Sequence, residues 1–380
     1  VKAALESLER IDWDFAAANT RTASHGIHPY PGKFIPQIPR LLIERLAPRK
    51  GSAILDPFCG SGTTLLEATL KGYPSIGIDS HPLACLIAKV KCTPLPSDAT
   101  GTIETIVSSA RDSHVRKQFA IPPVPRIDHW FKKDIQEVLA SLTTAIDNVA
   151  HQDVRDALRV AFSALIVRVS NQESDTRYAA VDKAISPEDV LRLFSVKARS
   201  LFESLDCLSA SLFGALPRPC LINKDILEVQ PPDIKGEIAL VVASPPYPNA
   251  YEYWLYHKYR MYWLGMNPIE VRSREIGARP HYFKKNHQTE HDFEEQMDRV
   301  FRLLAAVMIH GSYACFVIGR SIIHSRVIDN LALLTRSAER SGFVRCALFN
   351  RCIPRNRKSF NPANGSIDEE SIGVFKLEGL

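Results

Sequence analysis

Nowhere in this 380-residue chain do 18 apolar residues run together, so no segment qualifies as a membrane-spanning helix. None of the eight cysteines forms a Cys-x-x-Cys pair, and neither zinc nor a disulfide framework is indicated. Cys59, Cys85, Cys92, Cys207, Cys220, Cys315, Cys346 and Cys352 read instead as buried, reduced thiols of a cytoplasmic protein. A strong charge of one sign is also missing. The 47 Lys and Arg against 42 Asp and Glu leave a net charge of +5, compatible with a nucleic-acid partner without demanding one. There is no initial Met, and Val1-Lys2-Ala3-Ala4 is not a secretory signal; the start reads as trimmed. Repeats and low-complexity tracts are absent too. What is present is 45% apolar and 23% charged, the balance of a globular protein with one large or two ordinary domains.

Two segments carry the chemistry. The apolar run Ala53-Ile54-Leu55 leads into Asp56-Pro57-Phe58-Cys59-Gly60-Ser61-Gly62-Thr63-Thr64. The run 238–243 leads into Ser244-Pro245-Pro246-Tyr247. Each reads as a buried parallel strand ending in a tight loop, and in an open α/β sheet ligands bind beyond the carboxyl ends of the strands. Gly60 and Gly62 let the backbone turn sharply and approach a ligand. A helix opening at Thr63 and Thr64 would place free N–H groups beside that ligand. The dinucleotide fingerprint is excluded because its third glycine falls at Leu65, and no Gly-Lys-Ser/Thr follows as in a Walker loop. Asp79 ends a second short strand 17 residues after Gly62, a spacing suited to ribose hydroxyls.

Three regions follow. Residues 1–95 hold an N-terminal segment with a Pro-rich loop, a helix from Pro39 to Leu46, and the first half of an α/β core. Residues 96–218 read as a helical insertion. Helix spacing recurs over 131–149, over 154–169 after a cap at Asp153, and after Ser186-Pro187-Glu188-Asp189. Residues 219–380 return to α/β, with strands expected at 238–243, 312–318, 343–350 and 371–376 and a helix from Glu294 to Met308. The last two strands lack a long crossover, which predicts an antiparallel edge hairpin.

These motifs resemble those of the amino-group DNA methyltransferases that use S-adenosylmethionine. Ser-Pro-Pro-Tyr at 244–247 is similar to the cytosine-N4 branch; the adenine-N6 branch usually has Asp or Asn at the place of Ser244. His28-Pro29-Tyr30-Pro31-Gly32-Lys33-Phe34-Ile35-Pro36 is similar to the family's N-terminal cofactor motif. Asp225 stands where the family has an acid that reads the cofactor's adenine amino group. The likeness covers roughly residues 25–95 and 219–380. It implies a class I methyltransferase fold, Rossmann-like and mostly parallel with an antiparallel edge hairpin, plus the helical insertion. The implied cofactor site comprises Lys33, Phe34, Asp56, Phe58, Gly60, Gly62, Thr63, Thr64, Asp79 and Asp225.

The implied reaction is direct in-line methylation of the N4 amine of a cytosine flipped out of DNA. That amine is a poor nucleophile because its lone pair is delocalised into the ring. The Ser244 hydroxyl and the Pro245 carbonyl can accept its N–H bonds, Pro246 stiffens the loop, and Tyr247 offers a stacking face. Cys220 follows Pro219, as does the nucleophile of cytosine-C5 enzymes, but it precedes Leu221-Ile222 at a strand start and reads as a buried thiol. Arg272, Arg274, Arg279, Lys284 and Lys285 form one basic cluster. Arg351, Arg355, Arg357 and Lys358 form another without an acid; both suit phosphates. The aromatic stretch 251–263, interleaved with His257, Lys258 and Arg260, suits a core face with a few outward residues near substrate. Ser170-Asn171-Gln172 to Arg177 is a candidate base-reading loop. The cofactor loop precedes the catalytic loop, whereas many cytosine-N4 enzymes have the reverse order. Target recognition therefore falls to 96–218 or 265–290. A cognate restriction endonuclease is the implied partner. Adenine-N6 methylation, RNA amine methylation and a non-catalytic binding subunit remain open alternatives.

Overall fold

The computed structural model describes residues 2–46, 51–114, 119–209, 216–249, 251–283, 287–353 and 368–379. Seven strands form its main sheet. They are β1 (Ala53–Asp56), β2 (Ser75–Ile78), β3 (Cys220–Ile222), β4 (Ile238–Ala243), β5 (Met308–Gly319), β6 (Phe343–Cys352) and β7 (Glu369–Leu377). Their spatial order is β3-β2-β1-β4-β5-β7-β6. The first five run parallel. β7 inserts between β5 and β6 and is antiparallel to both. A mostly parallel sheet closed by an antiparallel hairpin is the class I methyltransferase architecture that the sequence implied. The order reverses between β1 and β4, so the loops after those two strands flank the switch-point crevice.

Side-chain alternation explains why the strands are apolar throughout. Leu55, Ile76, Ile78, Val241 and Ala243 point to one face and pack with Phe293, Met297 and Phe301. Ile54, Leu240, Val242, Cys315 and Val317 point to the other and meet Ile38, Leu42 and Ile43. With both faces covered, β4 reads as a continuous hydrophobic run.

The helices that matter to the site are α1 (Gln37–Leu46), α2 (Thr63–Leu70), α3 (Pro82–Lys91), α4 (Gly101–His114), α5 (Lys133–Asp147), α6 (Gln152–Val169), α7 (Pro187–Ser209), α8 (Tyr253–Trp263) and α9 (Glu290–Val307). The four long helices α4 to α7 share a core with α2, α3 and α8. Ile103, Leu142, Leu158, Phe162 and Phe194 pack in one cluster with Leu66, Leu83, Ile87 and Trp263. The inserted helices thus hold the two helices that follow β1 and β2.

Several expectations need correction. The cap of α6 is His151, whose Nδ1 accepts the Val154 N–H, while Asp153 pairs with Arg218 at 2.9 Å. Ser170 and Gln172 are buried at the base of a hairpin formed by 172–174 and 177–180, and Gln172 spends its amide on the Ser174 carbonyl. Those two side chains are therefore not free to read a base. Four cysteines, Cys59, Cys85, Cys92 and Cys315, are buried, but Cys207, Cys220, Cys346 and Cys352 are exposed. Cys220 does begin a strand, yet β3 is a three-residue edge strand, so its thiol faces outward. No helix among the described residues is long and apolar enough to cross a membrane.

Candidate active site and cofactor cleft

The loop after β1 turns on two glycines in the left-handed region, Gly60 at φ +47° and Gly62 at φ +77°. A Cβ on Gly62 would lie 2.7 Å from the Ala88 Cβ, so Gly62 is required by its packing on α3. The loop's own amides are mostly spent within the fold. Phe58 donates to Asp56, Cys59 to the Ile78 carbonyl, Gly60 to Asp79, and Gly62 to the Cys59 carbonyl. The expectation of several free N–H groups facing a ligand is therefore corrected for these four. Asp79 is a brace as well as a candidate ligand. Its Oδ2 accepts Gly60 N–H and its Oδ1 accepts His81 N–H, both at 2.8 Å. Burial pushes its carboxyl up to about 6, against those two bonds.

A single cleft of about 810 Å³, open mouth included, runs past this loop. Lys33, Phe34, Phe58, Gly60, Thr63, Asp79 and Asp225 line it, as do Ser244, Pro246 and Arg274. Residues from the Pro-rich loop, both strand-end loops and the region after β3 thus converge. Asp225 accepts the Leu227 N–H at 3.0 Å as a cap, and burial raises its carboxyl.

Asp56, Gly62 and Thr64 do not line the cleft. Asp56 is 1% exposed, accepts the Phe58 N–H, and is pushed by burial up to about 7. The Thr64 hydroxyl donates to the Val242 carbonyl at 3.0 Å, tying the start of α2 to the strand that carries Ser244. These three shape the cleft from behind. Pro245 is buried, and Tyr247 is not among the residues that line the cleft. The Tyr247 hydroxyl donates to Glu370 at 3.0 Å, and its ring joins the core under the sheet. The stacking role expected of Tyr247 is thereby corrected. Tyr30 and Tyr253 present aromatic surface to the cleft instead, their rings 5.7 Å apart and 26° from parallel.

Lys33 stands exposed at the cleft and Lys91 is buried behind the glycine loop, a placement that composition did not reveal. Lys33 donates to the His25 carbonyl at 2.8 Å, and burial lowers its ammonium to about 8. Lys91 is 1% exposed, donates to the Ser61 hydroxyl at 3.3 Å, and is pushed well below the usual lysine range by burial and by Lys33. Glu275, also missed, lines the cleft beside Arg274. Glu270 and Glu275 both stand among the basic residues of this loop, and nothing in the sequence singles out Glu275.

The basic clusters divide. Arg272 stacks on Trp254, 5.1 Å from the ring centroid, while Arg274 and Arg279 are exposed. Arg351 is buried and pairs with Glu370 at 2.7 Å, which removes it from the expected phosphate cluster. Arg260 is buried too, ion-paired with Asp175. Lys284, Lys285, Arg355, Arg357 and Lys358 lie outside the described residues.

A family model for N6/N4 enzymes, described as DNA methylase, matches residues 5–90. The type II methyltransferase M.MvaI of Kocuria varians is 29% identical over 249 residues, which cover 61% of this chain and 55% of that protein. The type II methyltransferase M.MjaII of Methanocaldococcus jannaschii is 49% identical over 87 residues, 22% of this chain and 16% of the relative. Over these stretches the chain is similar to N6/N4 DNA methylases and to type II methyltransferases. It spans about half the length of M.MvaI. Among solved structures, TrmN from Thermus thermophilus overlays loosely, with a TM-score of 0.36 at 12% identity over 91% of this chain and 50% of that one. S-adenosylmethionine is the family's cofactor, and the cleft fits its chemistry. Asp79 and Asp225 line it with carboxylates that can accept from hydroxyl and amino groups, and Lys33 lines it without a carboxylate partner among its hydrogen bonds.

Proposed function

We propose that the chain methylates the N4 amine of cytosine in DNA. The observation that carries this reading is that Ser244 and Pro246 of the second loop line the same cleft as Gly60 and Asp79 of the first. Cofactor loop and amine-activating loop then share one chamber at the switch point.

The bound cofactor supplies an electrophilic methyl group on a sulfonium that leaves as a neutral thioether. Asp79 holds the ribose hydroxyls, Asp225 accepts from the adenine amino group, and Lys33 attracts the amino-acid carboxylate. Phe34 and Phe58 give apolar walls. The Ser244 hydroxyl and Pro245 carbonyl accept the N–H bonds of the exocyclic amine, turning its lone pair toward the methyl group. Tyr30 and Tyr253 stack on the flipped base. Catalysis is mainly positioning and fixed electrostatics. Arg274 at the cleft edge and exposed Arg279 contact phosphates.

Cytosine is preferred over adenine because Ser, rather than Asp or Asn, opens the Pro-Pro-Tyr loop. The type II relatives make DNA the favoured polymer, and a restriction endonuclease of the same specificity is the natural partner. The test uses tritium-labelled S-adenosylmethionine with unmethylated duplex DNA and, separately, with RNA. Label should enter DNA; label confined to RNA, or absent from both, sinks the reading.

A further inference from the structure

Glu275 is an acid of the cleft with a buried oxygen left unspent. It is 7% exposed and lines the cleft between Arg274 and Ile276. Its Oε1 accepts the Trp254 N–H in the first turn of α8, while its Oε2 is buried without a partner. Buried polar atoms are normally bonded; the Tyr253 N–H also bears on this carboxylate, yet no hydrogen bond reaches Oε2.

The segment that carries Glu275 is fixed to the catalytic loop. The Asn249 N–H donates to the Gly277 carbonyl at 2.9 Å. Gly277 sits at φ +72°, and a Cβ there would come 2.9 Å from the Tyr247 carbonyl oxygen. Glu275 is thus held close behind Ser-Pro-Pro-Tyr, in the cleft that Ser244 and Pro246 also line.

Amine methylation needs such a group. The Ser244 hydroxyl and Pro245 carbonyl accept hydrogen bonds, but neither takes up a proton at neutral pH. Asp79 is committed to the ribose hydroxyls in this reading, and each of its oxygens also accepts a backbone N–H. His81, which also has unbonded ring nitrogens in the cleft, is pushed by burial to about 4 and is a weak base.

Resting on the methyltransferase reading above, we propose that Glu275 is the proton acceptor of the reaction, with Oε2 taking the proton that the exocyclic amine sheds. A carbon–nitrogen bond forms from the amine lone pair, and a carbon–sulfur bond breaks with its electron pair left on sulfur. The nitrogen then carries one proton too many. That proton passes to Oε2, leaving a neutral methylated amine and a neutral acid, and the acid returns it to water after the product leaves. Asp79, Glu252, Tyr30 and Tyr253 surround Glu275, with Arg274 beside it. Burial, with Asp79 and Glu252, holds its carboxyl well above the usual range. A cation in the same cleft favours its ionised, proton-accepting form.

The test compares the wild-type chain with E275Q, which keeps an oxygen for the Trp254 N–H. Tritium transfer from S-adenosylmethionine to unmethylated plasmid DNA is followed from about pH 5.5 to about pH 9. Loss of a general base lowers turnover roughly 100-fold or more. E275Q should show that loss, with KM for the cofactor and the melting temperature little changed, and without the wild-type fall in rate at acid pH. Turnover of E275Q close to wild type, or an acid limb retained in it, overturns the proposal. If E275Q does not fold, E275D decides: it keeps the carboxylate, so reduced turnover must come with the acid limb intact, and a pH-independent rate overturns the proposal. A wild-type chain that labels no DNA refutes the methyltransferase reading and this inference with it. Wild-type labelling matched by E275Q removes Glu275 alone.

Discussion

Replacing Asp79 by Ala separates two roles that one carboxylate combines. The first is internal: Oδ2 and Oδ1 accept Gly60 N–H and His81 N–H at 2.8 Å each, in a half-buried site. Leaving these two donors unmet costs about 1–3 kcal/mol apiece, so D79A should lose roughly 2–6 kcal/mol of stability. The second is toward the cofactor. A charge-assisted hydrogen bond to a ribose hydroxyl contributes about 1.5–3 kcal/mol, so affinity for S-adenosylmethionine should fall roughly 10- to 150-fold. Asp79→Asn is the sharper probe. Both backbone partners are donors, so an amide can satisfy one with its oxygen but must turn its NH₂ toward the other. D79N should therefore recover only part of either loss. Because burial lifts the Asp79 carboxyl to about 6, wild-type affinity should also weaken as pH falls through about 6, when protonation removes the acceptor. Calorimetry with S-adenosylmethionine and S-adenosylhomocysteine, alongside urea melts, reads both roles. A folded D79A protein binding within twofold of wild type would refute the ribose assignment.

Further outcomes follow from the same geometry. Gly62→Ala should lose about 2–5 kcal/mol in urea unfolding, since a left-handed non-glycine residue costs about 1–2 kcal/mol and overpacking against Ala88 about 1–3; a loss under about 1 kcal/mol would contradict the packing argument. Tyr247→Phe removes the hydroxyl bonded to Glu370 and should lower stability by about 1–3 kcal/mol while KM for DNA stays unchanged, because the ring is outside the cleft. A raised KM with unchanged stability would return Tyr247 to a base-stacking role. For Asp56 the folded carboxyl titrates at about 7 against 3.8 in the reference state. The folded chain then binds more protons than the unfolded one between about pH 4 and about pH 7, and this residue's contribution to stability falls as pH rises through that window. The stability difference between D56N and wild type should shift in favour of D56N across that window and level off above it. A difference independent of pH, measured by urea unfolding, would contradict the titration.

Local pattern carried much of this molecule. Unbroken apolar runs at 53–55 and 238–243 signalled strands buried on both faces, the Gly60 and Gly62 spacing signalled the turn, and the missing crossover after β6 signalled the edge hairpin. What stayed hidden depends on partners far away in the chain. Arg351 looks like a phosphate-binding cation until Glu370 is brought to it, and the aromatic stretch does not show that Arg260 turns inward until Asp175 is. Tyr247 belongs to a recognisable tetrapeptide, but a tetrapeptide does not reveal which side of the loop its ring takes; Glu370 and the core beneath the sheet decide that. Lys91 is one basic residue among 47 until α3 places it against Ser61. Glu275 emerges only when the segment 275–277 is seen packed on Ser-Pro-Pro-Tyr.

The most direct test of the central claim is the base itself. DNA from cells expressing the chain, digested to nucleosides and analysed by mass spectrometry, should contain N4-methylcytosine that is absent from cells expressing Ser244→Ala. N6-methyladenine in its place would contradict the assignment made on Ser244. DNA carrying neither base, from cells with abundant folded protein, would contradict the proposed activity.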